Sequence, residues 1–490
     1  MTGALVRHIV ICGSGLAAWM TAAALSKNLP TAIQITVLET TGSDAVDIFY
    51  GSVTNPSAFK FFSNLGLSEA DLILRTRTSF SYGTEYKNWG LTHASWVQCF
   101  QAPFPIWEGV PFAHHITDET QALEHYLMSA QAAAKGKFAH PPAGKSNPLS
   151  STEYGYHFNA RDLANLVKVL AIRHGVQSKS EDIASIESRD GKIARLKLKD
   201  GETLSADLYV DASGPDAQLI SALEDGDIQT TRSIGALYSE QRSEELGPPL
   251  RQVVSHDFGW QSRTPLREVD AVLTLFDPQS EQTARKAHPQ TETVQGNVSL
   301  GCRKKAWSGN CVAIGHAAAI AEPTSPGPLI LLQMDINRLV GLIPVTDAFD
   351  IEAQIFNEAF QTDVENIELF NTAFFHLEGL PDTEYWNAAK SNSTSVKLDR
   401  KLDQFSHRGL LVSYDLEPFN DEDWIILHHG IGRKPRKRDP IAKLSDADNI
   451  NRDLKNKAKA IQNVVAKMPP HHIYLAKFLN YLERNHVSAL

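Results

Sequence analysis

His8-Ile9-Val10-Ile11-Cys12-Gly13-Ser14-Gly15-Leu16-Ala17-Ala18-Trp19-Met20 is the stretch from which the fold can be read. Ile9 to Cys12 make a short, β-branched run of the kind buried in a parallel sheet. Beyond Trp19, Thr21-Ala22-Ala23-Ala24-Leu25 continues in strong helix formers. Between strand and helix, Gly13 permits a tight turn, Gly15 lets backbone approach a ligand, and Ala18 is small enough for close helix–strand packing. The helix that starts at Leu16 offers free N–H groups and a positive dipole end, which suits a pyrophosphate. Gln34-Ile35-Thr36-Val37-Leu38-Glu39 reads as a second strand ending in an acid, where a carboxylate accepts both ribose hydroxyls of an adenosine.

Working outward, a helix pattern returns over 160–175 and alternating strands over 186–210, with Asp200-Gly201 as a hairpin turn. More strand-like runs fill 233–277, and Cys311-Val312-Ala313-Ile314-Gly315 is a buried strand. A helix is expected over 328–342, and the final third is amphipathic and mostly helical. Phe, Tyr, Trp and Pro cluster over 80–112, as either core or the wall of an apolar pocket.

The chain has 490 residues, net charge −10, 42% hydrophobic and 21% charged residues. Such a composition excludes a disordered chain and a disulfide-built miniprotein. It also provides no global positive field for nucleic acid or an anionic membrane. The short basic run 433–438 reads as a solvated loop. Cys12, Cys99, Cys302 and Cys311 fit no usual zinc spacing and are expected to be buried free thiols of a cytoplasmic protein. The paired histidines 114–115, 428–429 and 471–472 diverge in regular structure, so no metal site is expected. The apolar start is broken by the glycine turn and lacks a cleavage-like site, which argues against a leader peptide, and no run reaches a membrane span.

Two later pieces point to the kind of dinucleotide. Leu208-Tyr209-Val210-Asp211-Ala212-Ser213-Gly214 is a strand ending in Asp-x-x-Gly, and Gly315-His316-Ala317-Ala318 precedes Glu322-Pro323-Thr324-Ser325-Pro326-Gly327-Pro328-Leu329. This order resembles FAD-dependent monooxygenases of the hydroxylase type. The resemblance implies FAD, with Gly13, Gly15, Ala18, Glu39, Ser52, Thr54, Arg161, Asp211, Gly214, Gly315, His316, Gly327, Pro328 and Leu329 along it. His316 stands where that family has Asp or Asn.

A fuller resemblance, nearly end to end, is to the flavin-dependent tryptophan halogenase family. It is carried by the opening motif, by Gly51-Ser52-Val53-Thr54-Asn55-Pro56 in the flavin-strap position, by Asn88-Trp89 and by Gly109-Val110-Pro111. Tyr156-His157-Phe158, Trp424, Gly430-Ile431-Gly432 and Asp439-Pro440 extend it. The resemblance implies an α/β fold. An FAD-binding, Rossmann-like domain of the flavin monooxygenase type is expected from 1–50, 150–215 and 300–345. A β-rich substrate region comes from 51–149 and 216–299, and a helical C-terminal part from 346–490.

Three departures bear on activity. The lysine of a halogenase falls at Ser81, with Lys87 six residues along. The loop after Glu322-Pro323 is one residue short and lacks the partner glutamate. The motif Trp-x-Trp-x-Ile-Pro becomes Trp260-Gln261-Ser262-Arg263-Thr264-Pro265. These favour a monooxygenase that passes oxygen from a flavin hydroperoxide to an indole- or phenol-like ring, either free or a tryptophan of a partner protein. Trp260, Tyr82, Phe80 and His114 or His157 would lie near the substrate, with His157 or Glu85 as general base and Ser81 at the reaction centre. The alternatives are a halogenase and a non-catalytic flavoprotein that assists maturation. With no second nucleotide fingerprint, a separate flavin reductase is expected.

Overall fold

The computed structural model describes residues 5–42, 46–90, 95–107, 109–117, 120–142, 147–223, 228–391, 395–437, 439–444 and 446–485. Two sheets organise the chain. The first has six strands in the order Trp307–Ser308, Cys311–Ala313, Leu208–Asp211, His8–Cys12, Gln34–Glu39, Gln177–Ser180. Its pairings are parallel except at the Trp307–Ser308 edge. His8–Cys12 lies in the middle, and Ile9, Val10, Ile11 and Cys12 are fully buried, as a strand covered on both faces requires. The helix Leu16–Asn28 follows the glycine turn and packs against the helix Ala160–Arg173. Its buried residues run without interruption from Leu16 to Leu25, which explains the long apolar run at the start of the chain.

The second sheet has eight strands, in the order Ala319–Ile320, Thr293–Arg303, Ile228–Arg242, Val269–Phe276, Gly259–Pro265, Arg251–His256, Gly83–Lys87, Trp96–Cys99. It is antiparallel apart from the Arg251–His256/Gly83–Lys87 pair. On its inner face, Thr84, Tyr86, Arg251, Val253, Trp260 and Ser262 are buried, and their alternate neighbours face outward, the period-two signature of a one-sided sheet. Lys192–Leu198 turns back on Thr203–Leu204 through Gly201, at φ 88°, as Asp200-Gly201 predicts.

The helices expected over 160–175 and 328–342 are Ala160–Arg173 and Gly327–Gly341. The 51–149 segment is less β-rich than expected, holding helices Ala58–Leu65, Glu69–Arg75 and Met128–Ala134. Ser68 and Asp71 form a reciprocal cap at the start of the second of these, a signature easily read as a loop. Helices dominate from Asp350 onward. One contiguous hydrophobic core joins both sheets and these helices. Among the described residues no helix is long and apolar enough to cross a membrane, and no group of three or more His, Cys, Asp or Glu could hold a metal ion. Cys12, Cys99 and Cys311 are buried thiols, while Cys302 is half-buried.

Candidate active site and cofactor cleft

A cleft of about 1420 Å3 opens beside the first sheet, lined among others by Ser14, Gly15, Glu39, Gly51, Ser52 and Arg161. Gly13 has φ 140°, and a Cβ there would lie 2.2 Å from the Ala212 carbonyl, so only glycine fits. Glu39 accepts from Lys168 Nζ at 2.6 Å and Ser178 Oγ at 2.5 Å. Partial burial opposes its charge, but these bonds outweigh it and hold the carboxyl below its usual range.

The Leu16 N–H, expected to face a pyrophosphate, instead donates to Asp47 Oδ2 at 2.7 Å. A carboxylate has settled on the positive end of the helix, as that electrostatics favours, and a Cβ at Gly15 would meet it at 2.7 Å. The Asp47 carboxylate thus stands in for an anion at the glycine turn, and the cleft beyond it has room for a dinucleotide. On that observation the residues fit FAD, with Asp47 having to yield its position.

Asp211 is buried and turned into its own loop. It accepts from Ser213 Oγ at 2.6 Å and from the N–H groups of Leu219 and Ile220 at 2.8 and 2.9 Å. Burial raises its pKa against these bonds. Its role is to order the turn that contains Gly214, at φ 83°. His316 is also buried. Its ring stacks on Tyr50 at 4.0 Å, with Phe49 edge-on at 6.5 Å, and Nε2 has no partner. Burial pushes it down to about 3, so it is neutral at neutral pH. Ala18 is fully buried in the first helix. Gly327, Pro328 and Leu329 open the helix Gly327–Gly341, and a Cβ at Gly327 would crowd Ile367 at 2.8 Å.

Residues 52–54, Gly155–His157 and Ser79–Ser81 form a small ribbon. Val53 pairs with His157, and Ser81 with Gly155. Thr54 Oγ1 accepts from the Tyr156 N–H at 2.9 Å. The ribbon brings Ser52, Thr54, Ser81 and His157 together from three distant parts of the sequence. Ser81 is fully buried. His157 Nδ1 lies 3.2 Å from both Ser79 Oγ and the Pro265 carbonyl, and Nε2 has no partner. Burial, with His471 and Arg251 adding positive potential, holds this imidazole neutral and makes it a weak base.

Glu85 is not part of that group. It accepts from Gln252 at 2.8 Å and pairs with Lys87 at 3.3 Å on the outer side of the second sheet. Ser81 belongs to the ribbon with Gly155–His157, whereas Glu85 and Lys87 lie in the strand Gly83–Lys87 of the eight-stranded sheet, where Thr84 and Tyr86 take the inward positions. Trp260 is fully buried and its indole N–H donates to Glu322 Oε1 at 2.6 Å. Tyr385 donates to the same oxygen at 2.6 Å, and Arg232 forms an ion pair with Glu322. Trp260 therefore anchors the 322–325 loop. Phe80 stacks on Phe138 at 4.4 Å, Tyr82 donates to the Ala139 carbonyl at 2.7 Å, and Trp89 and Trp96 are core. His114 lies in a separate pocket of about 650 Å3, with Phe405, Arg408, Leu411, Ile425 and His429.

Sequence reading missed Asp47, Tyr86 and Arg251. The signal for Arg251 was present in Arg251-Gln252-Val253-Val254-Ser255-His256, where it shares the inward face with Val253 and Ser255.

The sequence model of the tryptophan halogenase family matches residues 8–447. A tryptophan 7-halogenase from Kutzneria sp. (strain 744) is 25% identical over 79% of this chain and 79% of its own. A flavin-dependent halogenase of known structure from Brevundimonas sp. BAL3 is 27% identical, with a TM-score of 0.88 over 96% of this chain and 99% of its own. Another, from Xanthomonas campestris, is 25% identical, also with a TM-score of 0.88, over 97% and 98% of the two chains.

Proposed function

Because the chain belongs to the tryptophan halogenase family, whose cofactor is FAD, we propose that it halogenates an electron-rich aromatic ring of the indole class. The observation that carries this reading is the similarity to flavin-dependent halogenases along nearly the whole of both chains. It favours halogenation over the oxygen transfer expected from the departures at Ser81, in the loop after Glu322-Pro323 and at Ser262, where the motif's second Trp is lost. Those departures are local, and the Trp260 that the motif keeps is engaged in holding Glu322 rather than a substrate.

FAD, once bound and reduced, supplies the activated dioxygen that oxidises a halide. Glu39 would accept from the ribose hydroxyls, and the Leu16 N–H would donate to a phosphate oxygen in place of Asp47. Arg161, exposed at the cleft, would meet the diphosphate, while Ser52 and Thr54 of the strap would cover the flavin end. His157, neutral and fixed through Nδ1, presents its free Nε2 as an acceptor rather than as a strong base. Reducing equivalents would come from a separate flavin reductase.

The test is turnover of tryptophan and indole by the purified protein with FAD, a flavin reductase, NADH and bromide. A product with the bromine isotope doublet, absent when bromide is withheld, is expected. Ser81 favours a second reading, because a buried hydroxyl carries no charge with which to hold an oxidised halide. Halide-independent product that carries label from isotopic dioxygen would establish that reading and overturn the first.

A further inference from the structure

Arg251 is about 1% exposed, and its side chain points from the second sheet toward the 322–325 loop. Nη1 donates to the Pro323 carbonyl at 2.8 Å and Nη2 to the Thr324 carbonyl, which also receives the Tyr86 hydroxyl at 2.6 Å. No carboxylate lies within ion-pair distance of this guanidinium among the described residues. The nearby Glu322 is engaged with Arg232, Trp260 and Tyr385. Two carbonyl dipoles do not neutralise a full charge, and a buried charge is ordinarily paired.

Three buried polar atoms here also lack any partner: Arg251 Nε, Thr324 Oγ1 and His157 Nε2. His157 feels the charge of Arg251, and Thr324 touches it. A Cβ at Gly51 would lie 3.3 Å from Pro323 Cβ and 3.6 Å from Arg251 Nη1, so strap, loop and guanidinium meet at one point. Arg251 sits in register with Thr84, close along the chain from Ser81. A buried cation without a carboxylate partner, whose own Nε–H and the neighbouring Thr324 hydroxyl are unused donors where the strap meets the loop, is chemistry suited to a small anion.

We propose that Arg251 is a further residue of the reaction centre, holding a monovalent anion at the 322–325 loop and supplying the positive charge that Ser81 lacks. The identity of the anion as a halide rests on the halogenase reading above. Bromide serves as the probe. The FAD-loaded protein is titrated with sodium bromide against sodium fluoride at constant ionic strength, following the melting temperature. Saturable stabilisation specific to bromide is expected, weakened about tenfold or more in Arg251→Gln. Its absence from the wild type, or unchanged affinity in a folded Arg251→Gln, overturns the proposal.

Crystals of the wild type soaked in bromide give an answer that no variant's folding can obscure. An anomalous peak against the Arg251 guanidinium supports the site, and bromide bound elsewhere but not there overturns it. Bromide at Arg251 without brominated product would leave this site standing and sink the halogenase reading. Brominated product formed by Arg251→Gln at the wild-type rate would do the reverse.

Discussion

Asp47 is the residue whose position says most about the cofactor cleft. Its carboxylate occupies the helix end at 2.7 Å from the Leu16 nitrogen, where a phosphate would carry the same charge. Asp47→Asn keeps an acceptor for that N–H but removes the repulsion. FAD affinity should therefore rise about two- to fivefold, from an end-of-helix charge effect of roughly 0.5–1 kcal/mol, as read by flavin fluorescence titration. Weaker binding would mean that Asp47 supports the cleft rather than competing for it. His316 allows a second test. Its folded pKa, depressed to about 3, lies below an unfolded value near 6.5. The neutral ring therefore contributes stability fully above about pH 6.5, and that contribution is lost as the pH falls toward 3. His316→Phe keeps the stack on Tyr50 but takes up no proton. Relative to the wild type it should gain stability between pH 7 and pH 4, by roughly 3 kcal/mol at most. Chemical denaturation of both proteins at each pH measures this difference, and a constant gap would show that His316 is solvated.

At the scale of elements, the inner face of the eight-stranded sheet and the 322–325 loop hold each other in place. Glu322 is the link, since it takes Arg232, Trp260 and Tyr385 on one buried carboxylate. Glu322→Gln leaves the Arg232 charge without a counter-ion, and removing one partner of a buried pair costs about 3–5 kcal/mol. The melting temperature should fall sharply, whereas Trp260→Phe, which loses one hydrogen bond to a charged group, should cost about 1.5–3 kcal/mol. If Trp260→Phe instead leaves stability intact and abolishes turnover, Trp260 belongs with the substrate. The same elements show how far sequence reading extends. The glycine turn, its flanking strand and helix, and Glu39 were legible because local periodicity and spacing determine them. The ribbon that joins Thr54, Ser81 and His157 was not, since it depends on pairing of His157 with Val53 and Ser79, segments far apart in the chain. Trp260 looked like a substrate contact for the same reason, because its partner Glu322 is brought up by the sheet. Arg251 was passed over because one inward arginine in an alternating strand looks like an outward one until its neighbours are known.

At the scale of the whole molecule, the cofactor cleft draws on residues 14–15, 39, 47–52 and 159–165, which belong to no continuous segment. The hydrophobic core that supports it is likewise shared, running from Ile9 and Val210 through Tyr86 and Trp260 to Trp386, Trp424 and Leu482. A ligand gripping such a cleft stabilises the chain as a unit, because the segments that touch it share that one large core. Thermal unfolding should therefore be one cooperative transition, and FAD should move all of it. At a hundredfold excess over its dissociation constant the gain is about 2.7 kcal/mol, with the melting temperature still rising as FAD is increased further. Scanning calorimetry with and without FAD makes the check. Two separate transitions, with FAD shifting only the earlier or the later, would mean that the helices beyond residue 346 fold apart from the sheets. In that case their packing on Trp89 and Tyr86 would contribute little to holding the 322–325 loop in place.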